Sequence, residues 1–590
     1  MIRNGYSRRQ FLKQQSITGL GVLLASSVPS LLNGQRTHDV YTMPDEQLMY
    51  FDAFTAIGPR RYKHPAERWR LDELITEMDH CSISAAMVSS TLSVQYDAMY
   101  SNLELSNQLR SYSQLFAIWN VLPHQTGEFP EPKELGVKMK EYNIRAIGIH
   151  PASNGWDWKA DHCHELLKQL SETKTLTIIT ASELGGWSSV DEFLKRYPSL
   201  PVLLVNANWI EQRYLLPLVK THKNLHISFD HFQINDGIEY LDRNGLSDQM
   251  VFATNAPAMS MGAHRTYIDY ADVRLEIKKK VAGGNLLRLL GLKDLPATRW
   301  NREEDELMAS VRRCRPLPTP IIDMHMHILH EGLNGAGGLG YRMENGGPSG
   351  VFAKLNRLGV RGGGFMSWNG VVSNDAPAGN ICTRKALDVA PAGFWGLATF
   401  DPTHYPATVF SSMIKEVYKD QRFIGMKPYH FYGVEYHNKV YDEWWEYGSQ
   451  RKFYALLHAT RNDLLEIDTL AGRYRNSQWV IAHACGSFQV ADMAIEVMKK
   501  RPNVFAEITL TPVHSGIIEY LASAVGDDRI VYGSDLPMRD PRQQLGWVVF
   551  SRLPVTSKKK ILAANARGVI GPCMERLPAA NRPVFENNPL

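Results

Sequence analysis

Five residues in the second half of this chain have the types and the spacing to hold a metal ion and move a proton: His325, His327, His458, His483 and Asp535. Asp323-Met324-His325-Met326-His327 follows the apolar run Pro320-Ile321-Ile322. Side chains two apart on an extended strand point to the same face. His325 and His327 can therefore converge on one ion, with Asp323 on that side too. Imidazole suits zinc, iron and related divalent ions. A lone His-x-His pair is weak evidence, but three further apolar runs end in the same way. Tyr454-Ala455-Leu456-Leu457 leads to His458, Trp479-Val480-Ile481-Ala482 to His483, and Arg529-Ile530-Val531-Tyr532-Gly533-Ser534 to Asp535. Four unrelated strands would rarely all end in ligand-type residues by chance.

The elements that must position these residues are short β-branched and aromatic runs alternating with helical patterns. That is the signature of an α/β fold with parallel strands. The same landmarks occur in the first half, in the same order. Asp52 matches Asp323, Ile149-His150-Pro151 matches Met426-Lys427-Pro428, Thr180 matches His458, Asn206 matches His483 and Asn255 matches Asp535. The offset drifts only between 271 and 280 residues. Each copy spans about 250 residues, the usual size of a (β/α)8 barrel, so the expected architecture is two tandem TIM-type barrels. The expected boundaries are 45–293 for the first barrel, 294–319 for a linker, 320–573 for the second barrel and 574–590 for a tail. Where the second copy has ligand types, the first has Phe54, Ala56, Thr180, Asn206 and Asn255, with only Asp52 kept. The first barrel is therefore expected to bind no metal.

The second half resembles the amidohydrolase superfamily, in the branch that includes lactonases and aminocarboxymuconate-semialdehyde decarboxylase. The resemblance rests on the His-x-His after the first strand, His483-Ala484-Cys485-Gly486, Gly533-Ser534-Asp535-Leu536-Pro537 and Asn565-Ala566-Arg567. It implies that His325, His327, His458 and Asp535 hold one divalent ion, zinc by first choice. It also implies that His483 is the catalytic histidine and that Asp535 orients a water and takes its proton. Lys427 sits where two-metal members carry a bridging carbamylated lysine; in this branch it is a bystander or a substrate contact. His430, in a Tyr/His-rich loop, and Arg539, a carboxylate partner, are candidate substrate contacts. The implied activity is hydrolysis of a small-molecule amide, ester or lactone. The alternatives are non-oxidative decarboxylation of a carboxylic acid and, in another class, a non-catalytic binding protein. A homodimer is compatible with the resemblance. The Gly-rich loop Gly332–Gly350 is expected to lie over the metal as a lid.

The N-terminus, Ser7-Arg8-Arg9-Gln10-Phe11-Leu12-Lys13 followed by an apolar run from Ile17 to Leu32, resembles a twin-arginine export signal over residues 1–35. It implies a periplasmic protein, or a membrane-associated one if the signal is uncleaved. No other run approaches the ~20 apolar residues of a membrane span. A formal charge of +4, from 65 basic and 61 acidic residues without a basic block, argues against a nucleic-acid partner. Six scattered cysteines without a Cys-x-x-Cys pair suggest neither a disulfide framework nor a thiolate metal site.

Overall fold

The structure, a computed structural model, describes residues 48–585 except 61–62, 296–297, 299–300, 302, 337–339 and 460–462. All of these lie in one unit, Thr42–Leu590. The twin-arginine segment falls outside the described residues.

Two barrels follow one another along the chain. The first holds seven parallel strands in sequence order: β1 (Phe51–Ile57), β2 (Ala85–Ser90), β3 (Leu115–Asn120), β4 (Ala146–Gly148), β5 (Leu176–Ile179), β6 (Val202–Leu204) and β7 (Leu225–Ile227). The extended segment 250–255 takes the eighth place. Val251 donates to the Ile227 carbonyl at 2.9 Å, and Ala53 donates to Phe252 at 2.9 Å, closing the ring. The second barrel begins with β8 (Ile321–Ile328), and a short hairpin, β9 (Gly335–Ala336) and β10 (Tyr341–Arg342), interrupts the loop after it. Then follow β11 (Val360–Ser367), β12 (Phe394–Ala398), β13 (Phe423–Met426), β14 (Tyr454–His458), β15 (Gln478–Ala482), β16 (Val504–Glu507) and β17 (Ile530–Val531), all parallel to β8. The Met324 amide donates to the Tyr532 carbonyl at 3.0 Å and the Asp535 amide to the His325 carbonyl at 2.8 Å, which closes this barrel too. Strands covered on both faces need near-continuous apolar runs, which is why the interior residues of β14 and β15 are buried.

Segment 294–319 carries more than a connection. Asp305 caps a helix by accepting from the Leu307 and Met308 amides, and Leu307, Met308 and Val311 are buried. With helix α1 (Met261–Asp269) from the first barrel, this connecting helix α2 (Glu306–Arg312) packs against α3 (Pro541–Val549) from the second. Every residue of α1 and α3 is buried. Two glycines allow the close crossing: a Cβ on Gly546 would lie 2.2 Å from Thr266 Oγ1, and one on Gly262 would lie 2.0 Å from Phe550 Cβ.

The interface is two-fold in character. The Ser260 amide donates to the Val513 carbonyl at 2.9 Å, and the Asp540 amide donates to the Gln233 carbonyl at 3.3 Å. Ser260 and Asp540 are 280 positions apart, and so are Gln233 and Val513. Reciprocal contacts of this kind define an isologous contact in a dimer; here two halves of one chain make it.

Candidate metal centre

The strand β8 alternation turns Asp323, His325 and His327 inward, and all three are buried. Asp323 serves the scaffold. Its Oδ1 accepts from the His325 amide and the Ser534 amide, each at 3.1 Å, tying the first strand to the last. Burial pushes its carboxyl up to about 7.

Across the ring, Asp535 Oδ1 lies 3.1 Å from His327 Nε2 and 3.6 Å from His325 Nε2. One ligand atom from each of these three residues lies within 4.8 Å of the others. Burial opposes the charge of Asp535, but Arg539, His325 and His327 outweigh it and hold its carboxyl well below the usual range. Burial keeps both imidazoles below their ordinary value. Neutral imidazoles and an ionised carboxylate are the protonation states that metal ligation requires. His325 Nδ1 lies 3.1 Å from Glu507 Oε2. Donation from that nitrogen to the carboxyl leaves the Nε2 lone pair facing Asp535, the outer-shell arrangement usual for a metal-binding histidine. The donor set therefore fits a divalent ion.

His483 stands beside this triangle, its ring centroid 5.1 Å from that of His325. Its Nδ1 lies 3.1 Å from the Thr509 carbonyl. A carbonyl only accepts, so Nδ1 carries the hydrogen and Nε2 keeps its lone pair. Burial pushes this imidazole down to about 3. His458 lies outside the triangle, next to His483 (centroids 4.8 Å apart) and stacked on His430 at 4.7 Å. His430 thus reaches the site's edge. Lys427 is buried at the end of β13, with Nζ 3.3 Å from His325 Nε2, and burial pushes it down to about 8. Arg539 enters the site itself. It pairs with Asp535 Oδ2 through Nη1, and its Nε donates to Thr511 Oγ1 at 2.6 Å. Trp444 and Trp445 are packing residues, fully buried and stacked 5.2 Å apart.

His483 (φ 64°) and Asp535 (φ 58°) both adopt left-handed backbone, as do their first-barrel counterparts Asn206 (57°) and Asn255 (62°). Non-glycine residues rarely adopt it, and held there such residues mark sites that the surrounding fold over-determines. The first barrel keeps the scaffold acids as well. Asp52 accepts from the Thr254 amide at 3.2 Å, as Asp323 does from Ser534, and Asp230 accepts from the Asn206 amide at 3.0 Å, as Glu507 does from His483. At the positions matching His458, His483 and Asp535 it carries Thr180, Asn206 and Asn255.

Glu507 was not among the residues expected from sequence. Its signal was present, since Val504-Phe505-Ala506-Glu507 is another apolar strand ending in an acid. The loop after β8 also differs from a free lid. Gln212 Nε2 donates to the Arg342 carbonyl at 3.1 Å, Asn235 Nδ2 to the Glu344 carbonyl at 2.6 Å, and Asn345 Nδ2 to Asp236 Oδ2 at 2.8 Å. The first barrel fastens it.

Among the described residues no helix is long and apolar enough to cross a membrane. Residues 322–571 match the protein-family model described as Amidohydrolase. No curated protein matches the chain. Similar solved structures include 5-carboxyvanillate decarboxylase from Sphingomonas paucimobilis, at 12% identity and TM-score 0.35, covering 42% of this chain and 100% of that one. A second is a probable 2-pyrone-4,6-dicarboxylic acid hydrolase from Acinetobacter baumannii, at 12% identity and TM-score 0.32, covering 41% and 99%. A third is 5-carboxyvanillate decarboxylase from Novosphingobium aromaticivorans DSM 12444 with bound manganese, at 15% identity and TM-score 0.34, covering 42% and 97%.

Proposed function

We propose that the second barrel is a metal-dependent hydrolase acting on an amide, ester or lactone of a small molecule. The observation that carries this reading is the convergence of His325 Nε2, His327 Nε2 and Asp535 Oδ1, backed by Glu507 on His325. His325, His327 and Asp535 would hold one divalent ion, zinc by first choice; His458, which the resemblance adds as a fourth ligand, stands outside their triangle beside His483. When bound, such an ion lowers the pKa of a water from ~15.7 towards ~7 and so supplies a nucleophile at neutral pH.

The chain's own residues handle the proton and the charge. Arg539 occupies Asp535 Oδ2, and the two histidines face Oδ1. Asp535 is thereby oriented and kept anionic, which makes it a strong anchor and a weak proton acceptor. His483 is placed to pass the proton, because the Thr509 carbonyl fixes its tautomer with the hydrogen on Nδ1 and the lone pair on Nε2. The protonated imidazole would then return its proton to the leaving group.

A second reading has a specific observation behind it. Arg539 brings a buried guanidinium to the site, the cationic partner that decarboxylation of a carboxylic acid needs. A common test serves both readings. Protein purified without added metal is assayed for metal by elemental mass spectrometry, then for turnover of lactone, amide and aromatic carboxylate panels with product identification. About one ion per chain with ring-opened or cleaved product supports hydrolysis, and released carbon dioxide supports decarboxylation. No ion, with no activation by zinc, manganese or cobalt, leaves a binding protein. Export by the twin-arginine route belongs to the same proposal, supported by Ser7-Arg8-Arg9-Gln10-Phe11-Leu12-Lys13. Cytoplasmic retention of an R8K/R9K variant would bear it out.

A further inference from the structure

The metal-free barrel sends one aromatic side chain into the mouth of the other. Trp209 begins a short turn just after β6. Asn208 accepts from the Ile210 amide at 3.2 Å, and Glu211 accepts from the Asn208 amide at 2.7 Å and from Trp187 Nε1 at 3.0 Å, so the turn is well fixed. The Trp209 ring lies under the Arg539 guanidinium, 5.2 Å from its central carbon. It also meets Tyr341 edge-on at 4.7 Å. Tyr341 in turn contacts Trp368 at 6.0 Å, and Trp368 contacts His327 at 5.1 Å. An aromatic wall thus runs from Arg539 through the first barrel's residue and back to a candidate metal ligand. Leu329, Met343, Val372 and Met538 pack behind it.

Arg539 needs such a support. Its Nη1 and Nε are spent on Asp535 and Thr511, while its Nη2 donates to no described residue. An aromatic face beneath a guanidinium fixes its plane without using a donor, leaving Nη2 for a ligand. We infer that Trp209 is a positioning residue that holds Arg539 with Nη2 presented to a carboxylate on the substrate. The inference rests on the functional reading above and adds to it that the substrate is an anion. The metal-free barrel is then half of a specificity device.

The test uses the full chain and the arginine reagent phenylglyoxal, with modification of Arg539 followed by peptide mass spectrometry and benzoate as the carboxylate probe. Trp209→Leu keeps apolar volume but loses the aromatic face, while Trp209→Phe keeps a face. Arg539 in Trp209→Leu should react about 5- to 30-fold faster, the range of one cation–π contact, and Trp209→Phe should return most of the protection. Benzoate should slow the wild-type reaction and fail to slow that of Trp209→Leu. Equal rates in wild type and Trp209→Leu overturn the positioning role, as do equal losses in the Leu and Phe variants. Benzoate without effect on wild type overturns the carboxylate assignment. These readouts need no bound metal, so a metal-free wild type would sink the hydrolase reading while leaving this result legible.

Discussion

Replacing Glu239 with Gln tests what binds the first barrel to the second. Arg542 of the second barrel is fully buried between two acids. It bonds Asp540 through Nε and Nη2, both at 2.7 Å, and Glu239 of the first barrel through Nη1 at 2.5 Å and Nη2 at 3.1 Å. Burial disfavours the Glu239 charge, but Arg542 outweighs it and lowers the carboxyl from 4.5 to about 2. A carboxyl held below its ordinary value by a partner in the folded state contributes to folding stability at neutral pH. Glu239→Gln keeps the shape and leaves Arg542 on Asp540, so the expected loss is about 2–3 kcal/mol. Arg542→Met strands two buried carboxylates, leaving Lys354 on Asp540, and should cost more, about 3–5 kcal/mol. The sign of the pH dependence follows from the depressed value. The contribution is full above the unfolded carboxyl's pKa and is lost as pH falls towards about 2, with more than half gone near pH ~3. Urea denaturation of wild type and Glu239→Gln, followed by tryptophan fluorescence at pH 7 and pH 3, measures both quantities. Equal stability at pH 7, or a gap that stays the same at pH 3, would refute the assignment.

Four further outcomes are expected. Glu507→Gln should weaken metal affinity by about 10- to 100-fold through His325, measured by zinc competition with a chromogenic chelator, while His325→Ala with Asp535→Ala should abolish metal binding and turnover together. Removing the metal with a chelator should end activity but leave far-ultraviolet circular dichroism unchanged, because the strands are held by their own ladders and core; unfolding on chelation would contradict this. Gly546→Val should push α1 from α3, since even a Cβ would lie 2.6 Å from the Gly262 carbonyl. It should lower the thermal midpoint more than Gly571→Ala, whose Cβ would meet only Arg567 Cγ at 3.8 Å.

The strand ends were legible because a parallel strand covered on both faces is an apolar run, and its polar break marks where the barrel opens. His325, His327, His483 and Asp535 each sit at such a break and meet in space. Glu507 carried the same signal. The linker helix was also written in the sequence, as a capping Asp305 before Leu307, Met308 and Val311. Other features had no local signature. The left-handed backbone at His483 and Asp535 falls on residues that are not glycine. Trp209 lies 132 positions from Tyr341 and 330 from Arg539, and periodicity within one barrel says nothing about which loop leans on the other.

The reciprocal interface makes the difference between the two barrel mouths intelligible. A two-fold contact gives each half the same surface to maintain, so α1 and α3 stay buried and close-packed whether or not both mouths hold a metal. Beyond the axis the exchange is unequal. The second barrel receives Trp209 at Arg539, and its β8 loop is tethered by Gln212, Asn235, Asp236 and Arg243. In return it offers the first barrel a seat for His64, which stacks on Phe488 at 5.2 Å and lies 3.1 Å from Asp492. The acids behind Asn206 and Asn255, Asp230 and Asp52, tie the strand ends together through backbone amides, whatever side chains stand at those two positions. Substituting Trp209, Gln212 or Asn235 would be felt in the other barrel. The constraint on the first half therefore lies along the edge it shares with the second, away from its own mouth.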